Sequence, residues 1–135
     1  MHDYLNQSGG AERVLKAFTQ LFPVAPIFTL IYDAKGTHFE FEGKDVRTSF
    51  LQKIPGARHF HRAFPLLMPF AIERLDLRDF DVVLSSSECF GKGVITSPDA
   101  LHICYCHTPP RFLWAGFKEH VAQSPLPFFV KPLTP

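Results

Sequence analysis

Apolar positions recur with two different periods along this chain. Between Ala11 and Phe22, Val14, Leu15, Phe18, Leu21 and Phe22 return at helical spacing, and Glu12 precedes Lys16 by four residues. That spacing predicts an amphipathic helix, capped by Ser8 or Gly9 and ended by Pro23. Pro26 to Tyr32 (PIFTLIY) is instead a continuous β-rich apolar run, which predicts a strand buried on both faces. Asp81 to Ser85 (DVVLS) and Leu101 to Cys106 (LHICYC) predict two more buried strands. Asp33 to Lys44 is polar, contains Gly36 and Gly43, and is expected to be a loop, followed by a short extended piece from Asp45 to Leu51. Pro65 to Leu77 is helical in pattern, with Pro65 tolerable in the first turn and Pro69 expected to kink it. A short helix is expected around Glu88 to Ile95 and another over Phe112 to Val121, before Pro125, Pro127, Pro132 and Pro135 break up the tail. There is no internal repeat.

Strands alternating with helices indicate an α/β domain with a mainly parallel sheet. At 135 residues the chain suffices for one such domain and is too short for two with separate cores. Ligands of parallel sheets bind beyond the carboxyl ends of the strands. Three places are thereby singled out: Gly9-Gly10, Ser85-Ser86-Ser87, and His107 onwards.

Hydrophobic residues at 46% and charged residues at 20% are the balance of a soluble globular protein. Fourteen basic side chains against thirteen acidic ones leave no cationic excess, so no nucleic-acid partner is expected. Fifteen phenylalanines imply a large buried surface, or a surface that something else covers. The opening MHDYLNQSGG has neither a basic nor an apolar stretch of the kind that directs secretion. The longest uncharged apolar run, Ala63 to Ile72, is about half the roughly 20 residues of a spanning helix, so a cytoplasmic protein is expected.

Several residues carry chemistry, each beside a plainer reading. Gly9-Gly10 lets backbone amides at a helix start approach an anion, or is a tight turn and cap. Glu12 faces a cleft and orients a ligand, or sits on a solvated face and pairs with Lys16; Arg13 is expected to be solvated. Ser86, Ser87 and Lys92 touch phosphate or hydroxyl groups, or cap a strand end. His107 follows a strand at the ligand-facing end and is either functional or satisfied by a carbonyl. Arg111 and Trp114 flank a cleft or pin a loop. From Arg58 to Arg74 three arginines and two histidines alternate with aromatics, and Arg58, Arg62 and Phe64 suit an anionic membrane surface or a lipid-linked ligand. The plainer alternative is a core-facing helix whose arginines reach water. Cys104 and Cys106, on one strand, would share a face about 6.6 Å apart at ~3.3 Å per residue, the far edge of disulfide geometry. With Cys89 they read as reduced thiols. Zinc is not expected, because its sites favour wider cysteine spacing and His107 falls on the other face.

Three tracts together carry a resemblance: His2-Asp3-Tyr4-Leu5 through Gly9-Gly10-Ala11-Glu12-Arg13; Phe80-Asp81-Val82-Val83-Leu84-Ser85-Ser86-Ser87; and Cys104-Tyr105-Cys106-His107-Thr108-Pro109-Pro110-Arg111-Phe112-Leu113-Trp114. In order and approximate spacing they resemble the N-terminal, acceptor-side domain of glycosyltransferase family 4, retaining enzymes of the two-domain GT-B fold. The most similar members build O-antigen and other bacterial surface polysaccharides, often from mannose donors. The resemblance covers nearly the whole chain and implies a Rossmann-like three-layer domain. It implies a nucleotide-diphosphate sugar donor, a lipid-linked glycan acceptor, work at the inner face of the cytoplasmic membrane, and no bound metal or other cofactor. It also implies that His107 contacts the donor sugar near the reacting carbon and favours a ligand-binding role for Gly9 and Gly10; Glu12, Ser86, Ser87 and Arg111 stand beside them as candidate donor or acceptor contacts.

Two departures accompany it. In the family an apolar strand precedes the His-Asp-Tyr segment, whereas Met1 alone does so here, which would leave a gap in the sheet. The family's donor-side domain, with its basic residues and paired glutamates, is not represented, and no Glu-x7-Glu pair occurs. The expectation is a truncated reading frame or gene fragment, inactive by itself. A non-catalytic Rossmann-like binding or interaction module is the alternative.

Overall fold

The computed structural model describes residues 1–56 and 66–108. Helix α1 (Gly10–Leu21) is followed by strand β1 (Ile27–Thr29), strand β2 (Val46–Thr48) and a 3-10 turn (Phe50–Lys53). Helix α2 (Met68–Glu73), strand β3 (Val82–Ser87), a 3-10 turn (Gly91–Gly93) and strand β4 (Leu101–Cys106) complete the described chain. β1 pairs with β2 and β3 with β4, both in parallel. The α/β class with parallel strands is therefore as expected. The predicted helix over 112–121 lies outside the described residues.

The two strand pairs meet at the chain's start. His2 bridges Thr29 of β1 and Ser86 of β3, in parallel on both sides. His2 N–H donates to Phe28 O (2.8 Å), Ser86 N–H to Met1 O (2.9 Å) and Leu30 N–H to Asp3 O (3.2 Å). The expected gap is thus filled for the length of Met1 to Asp3. An apolar pocket of about 230 Å³ lies beside this segment, lined among others by Met1, Phe22, Phe28, Val82, Leu84 and Ile103. The buried Met1 ammonium donates to Leu84 O at 2.8 Å. Burial lowers its pKa from 8.0 to about 6, against a smaller raising effect from Asp3.

Adjacent residues of β1 enter different apolar clusters, because strand side chains alternate. Ile27 joins Leu5, Leu15 and Phe41; Phe28 joins a larger group that includes Leu30, Leu51, Met68, Ile72 and Val83. Leu15 is the buried apolar residue of α1, while Met68, Ala71 and Ile72 are the buried face of α2. Gly36 marks where the 33–44 loop crosses the N-terminal segment: a Cβ there would lie 2.1 Å from Asn6 O.

Several expectations need correction. β1 is shorter than the PIFTLIY run, because Leu30 O accepts from Ser49 Oγ (2.8 Å) and Tyr32 pairs through its backbone with the Gln52 amide. The chain bends away, although Leu30 and Ile31 stay buried. Pro69 does not kink α2; it lies in the first turn, where a missing N–H costs nothing. The short helix expected around 88–95 is confined to the 3-10 turn Gly91–Gly93, since the Glu88, Cys89 and Gly91 amides all donate to the Asp3 carboxylate. β4 is not buried: Leu101, Ile103 and Tyr105 are each about half exposed, as befits a strand paired on one side only among the described residues. Lys16 reaches Glu40 (3.4 Å) and not Glu12. No helix among the described residues is long and apolar enough to cross a membrane.

Candidate functional site

The carboxyl ends of the parallel strands carry a line of polar side chains. β3 ends in Ser85-Ser86-Ser87, all buried, because its last residues lie between the His2 bridge on one side and β4 on the other. His107 extends β4 by one backbone bond, its N–H donating to Ser87 O (3.2 Å), which places its ring over the end of β3. Ser86 Oγ then lies 2.7 Å from His107 Nε2 and 3.1 Å from His2 Nδ1. The two imidazoles meet edge to face, 6.5 Å apart at 85°. Tyr105 packs edge-on against His107 at 5.1 Å.

The line continues to α1. His2 Nε2 faces Glu12 Oε1 at 4.0 Å, and both side chains are nearly inaccessible. Burial works against the Glu12 charge. Contacts with His2 and with the backbone amides of Glu12 and Gly9 outweigh it, leaving the carboxyl below its ordinary value. Glu12 Oε2 has no hydrogen-bond partner among the described residues. The expectation of a solvated Glu12 paired with Lys16 is therefore overturned. Gly9 lies against this fold-back: a Cβ at that position would lie 2.9 Å from Glu12 Oε2, the end of a flexible side chain that would have to shift. Its φ of −146° is open to any residue, so its role is one of space. Gly10 is exposed, with nothing within 4 Å of where its Cβ would be.

A second cluster supports the first. Asp3, buried next to His2, accepts from Ser87 Oγ (2.9 Å), Glu88 N–H (2.8 Å), Cys89 N–H (3.0 Å) and Gly91 N–H. Four donors on one carboxylate satisfy the loop after β3 and hold it at the rim. A Cβ at Gly91 would come within 2.8 Å of Asp3 Oδ1, so a larger residue there would displace the carboxylate. Lys92 is exposed; its N–H donates to Ser87 Oγ and its ammonium to Glu88 O, so it ties the loop to itself. Arg13 is exposed, as expected. One strand position back, His102 Nε2 and Ser85 Oγ are 2.9 Å apart, and burial, with the nearby amino terminus, lowers the His102 pKa.

The structure thus brings Glu12, Ser86 and His107 into one connected line, with Gly9 beside Glu12 and Ser87 at the Asp3 cluster. Arg111, Trp114, Arg58, Arg62 and Phe64 lie outside the described residues. Cys104 and Cys106 are exposed free thiols. His2 and Asp3 had not been singled out as site residues. A His-Asp pair offers no strand pattern by itself, and its signals are the apolar Leu5 after it and its place in the first of the three resembling tracts.

Chemically, the line is an alternation of groups that both donate and accept, closed at one end by a carboxylate that only accepts. Its open end is the half-buried His107 ring, at the strand ends where parallel sheets take ligands. No family model, curated protein or solved structure matches the chain.

Proposed function

We propose that this chain is the acceptor-side part of a retaining glycosyltransferase of family 4, with a Rossmann-like fold. In this reading it supplies one wall of a site that moves a hexose from a nucleotide-diphosphate sugar to a lipid-linked or polysaccharide acceptor. The observation that carries the reading is the convergence of the α1 start and His107 on one rim, through Glu12, His2 and Ser86. A sugar-transfer site needs such convergence, because a diphosphate leaving group and a charge-deficient sugar must be stabilised side by side. A polar imidazole at the strand end suits sugar hydroxyls, and the Glu12 carboxylate held at the start of α1 suits a hydroxyl donor of the acceptor. The strand order β2, β1, residue 2, β3, β4 is the order of a doubly wound sheet with its crevice between residue 2 and β3, which supports a Rossmann-like assignment.

The test is a titration of the isotope-labelled chain with GDP-mannose, UDP-glucose and a short-chain lipid-linked sugar. The proposal expects amide shifts at Gly9, Gly10, Ser86 and His107, and no turnover without the donor-side half of the enzyme. Shifts confined to other surfaces, or none at millimolar ligand, would remove the sugar-transfer reading. Hydrolysis or transfer by the isolated chain would show that one wall suffices.

A further inference from the structure

Ser86 has one hydroxyl proton and stands between two imidazole nitrogens, His2 Nδ1 at 3.1 Å and His107 Nε2 at 2.7 Å. It can donate to one ring only and must accept from the other. The choice is made at the far end of the line. The Glu12 carboxylate faces His2 Nε2 at 4.0 Å, beyond hydrogen-bond length, and its charge favours the ring form that carries the proton on Nε2. In a neutral His2 ring Nδ1 is then an acceptor and takes the Ser86 proton. Ser86 oxygen must accept in turn, so His107 holds its proton on Nε2. The remaining nitrogen, His107 Nδ1, is left with a lone pair, and no hydrogen bond occupies it among the described residues.

We propose that His2 and Ser86 are positioning residues that fix the tautomer of His107, so that its Nδ1 is offered as an acceptor to a ligand hydroxyl. The inference deepens the sugar-transfer reading, and it rests on that reading only for the identity of the hydroxyl-bearing ligand. One added proton reverses the line. A cationic His2 donates from both nitrogens, Ser86 then donates to His107 Nε2, and His107 carries its proton on Nδ1. The groups facing His2 are Glu12 from α1, Ser86 from β3 and His107 after β4, with the Met1 ammonium and Asp3 on its own segment. Only Glu12 among these can anchor the direction, because the Asp3 carboxylate is taken up by Ser87 and the loop amides.

The experiment reads ring protonation directly and needs no ligand. Long-range proton–nitrogen spectra of the labelled full chain, recorded about two pH units above the ordinary imidazole value of ~6.5, assign each tautomer. The expected result is a single Nε2–H form for both His2 and His107. Ser86→Ala cuts the line and should move the His107 ring nitrogens to averaged positions, whereas Ser86→Thr keeps a hydroxyl and should restore the single form. Glu12→Gln accepts or donates at the same place and should average both rings. That second variant serves if Ser86→Ala does not fold. A wild-type His107 protonated on Nδ1, or a His107 tautomer indifferent to both Ser86→Ala and Glu12→Gln, would overturn the proposal. Failure of nucleotide sugars to bind, with the tautomers as expected, would count against sugar transfer alone.

Discussion

Removing the Asp3 carboxylate should loosen the rim before it unfolds the protein. Its two oxygens accept from one hydroxyl and three backbone amides, on Ser87, Glu88, Cys89 and Gly91. A hydrogen bond to a charged group contributes about 1.5–3 kcal/mol, and a buried donor left without a partner costs about 1–3 kcal/mol. Such terms do not add in a shared cluster, so Asp3→Ala is expected to cost about 4 kcal/mol rather than their sum. Asp3→Asn has nearly the same shape but only one accepting oxygen. Turned to keep Glu88 and Cys89, it sets its amide hydrogens against the Gly91 N–H, and about 2 kcal/mol is expected. Urea denaturation followed by circular dichroism measures the loss, and hydrogen exchange locates it. Protection should fall at the Glu88, Cys89 and Gly91 amides in both variants. A cost below about 0.5 kcal/mol for Asp3→Ala, with those three amides still protected, would refute the carboxylate's role as organiser of the loop.

Other expectations follow from the same geometry. The Met1 ammonium titrates near 8.0 when unfolded and about 6 when folded, so the unfolded chain binds more protons between those values. Stability should therefore be full above pH 8 and fall by on the order of 2–3 kcal/mol as pH drops to 6; denaturation midpoints that are flat or falling as pH rises across that window contradict it. His102, also lowered, acts in the same direction. Gly36→Ala forces a methyl against Asn6 O and should cost about 1–3 kcal/mol, whereas Gly93→Ala, with open space around it, should stay within about 0.5 kcal/mol. Equal midpoints for the two variants would refute the close crossing at Asn6. Thiol labelling should be fast at Cys104 and Cys106 and slow at Cys89, which is half-buried and whose pKa burial raises; a fast-reacting Cys89, identified by mass mapping, would contradict the loop structure.

The fold was legible wherever burial and period agreed. α1 lies within a residue of its expected limits because its apolar stripe, Gly9 and Pro23 all mark the same segment. DVVLS and LHICYC are strands because β-branched and apolar residues run together there. The exposure of β4 was not legible: an apolar run does not say how many strands flank it, and β4 has one partner among the described residues. The helix expected around 88–95 is only the 3-10 turn Gly91–Gly93, because the amides before it serve a carboxylate eighty-odd residues away, which no local pattern contains. Of the site, Ser86 and His107 follow from the strand-end rule, and Gly9 from its place before a helix. Glu12 was ambiguous in sequence because its partner is His2, ten residues back and brought beneath α1 only by the sheet. Asp3 and His2 matter through the sheet register, which a three-residue strand cannot announce.

The account depends on α1 and His107 facing one rim through His2 and Ser86. Nuclear Overhauser contacts between ring protons of His2 and His107 test this directly, with the Tyr105–His107 pair, centroids 5.1 Å apart, as an internal standard. Cross-peaks between the two imidazoles, weaker than those to Tyr105 and accompanied by contacts from His2 to the Glu12 side chain, are the predicted result. A His107 ring that sees Tyr105 but neither His2 nor Ser86 would contradict it.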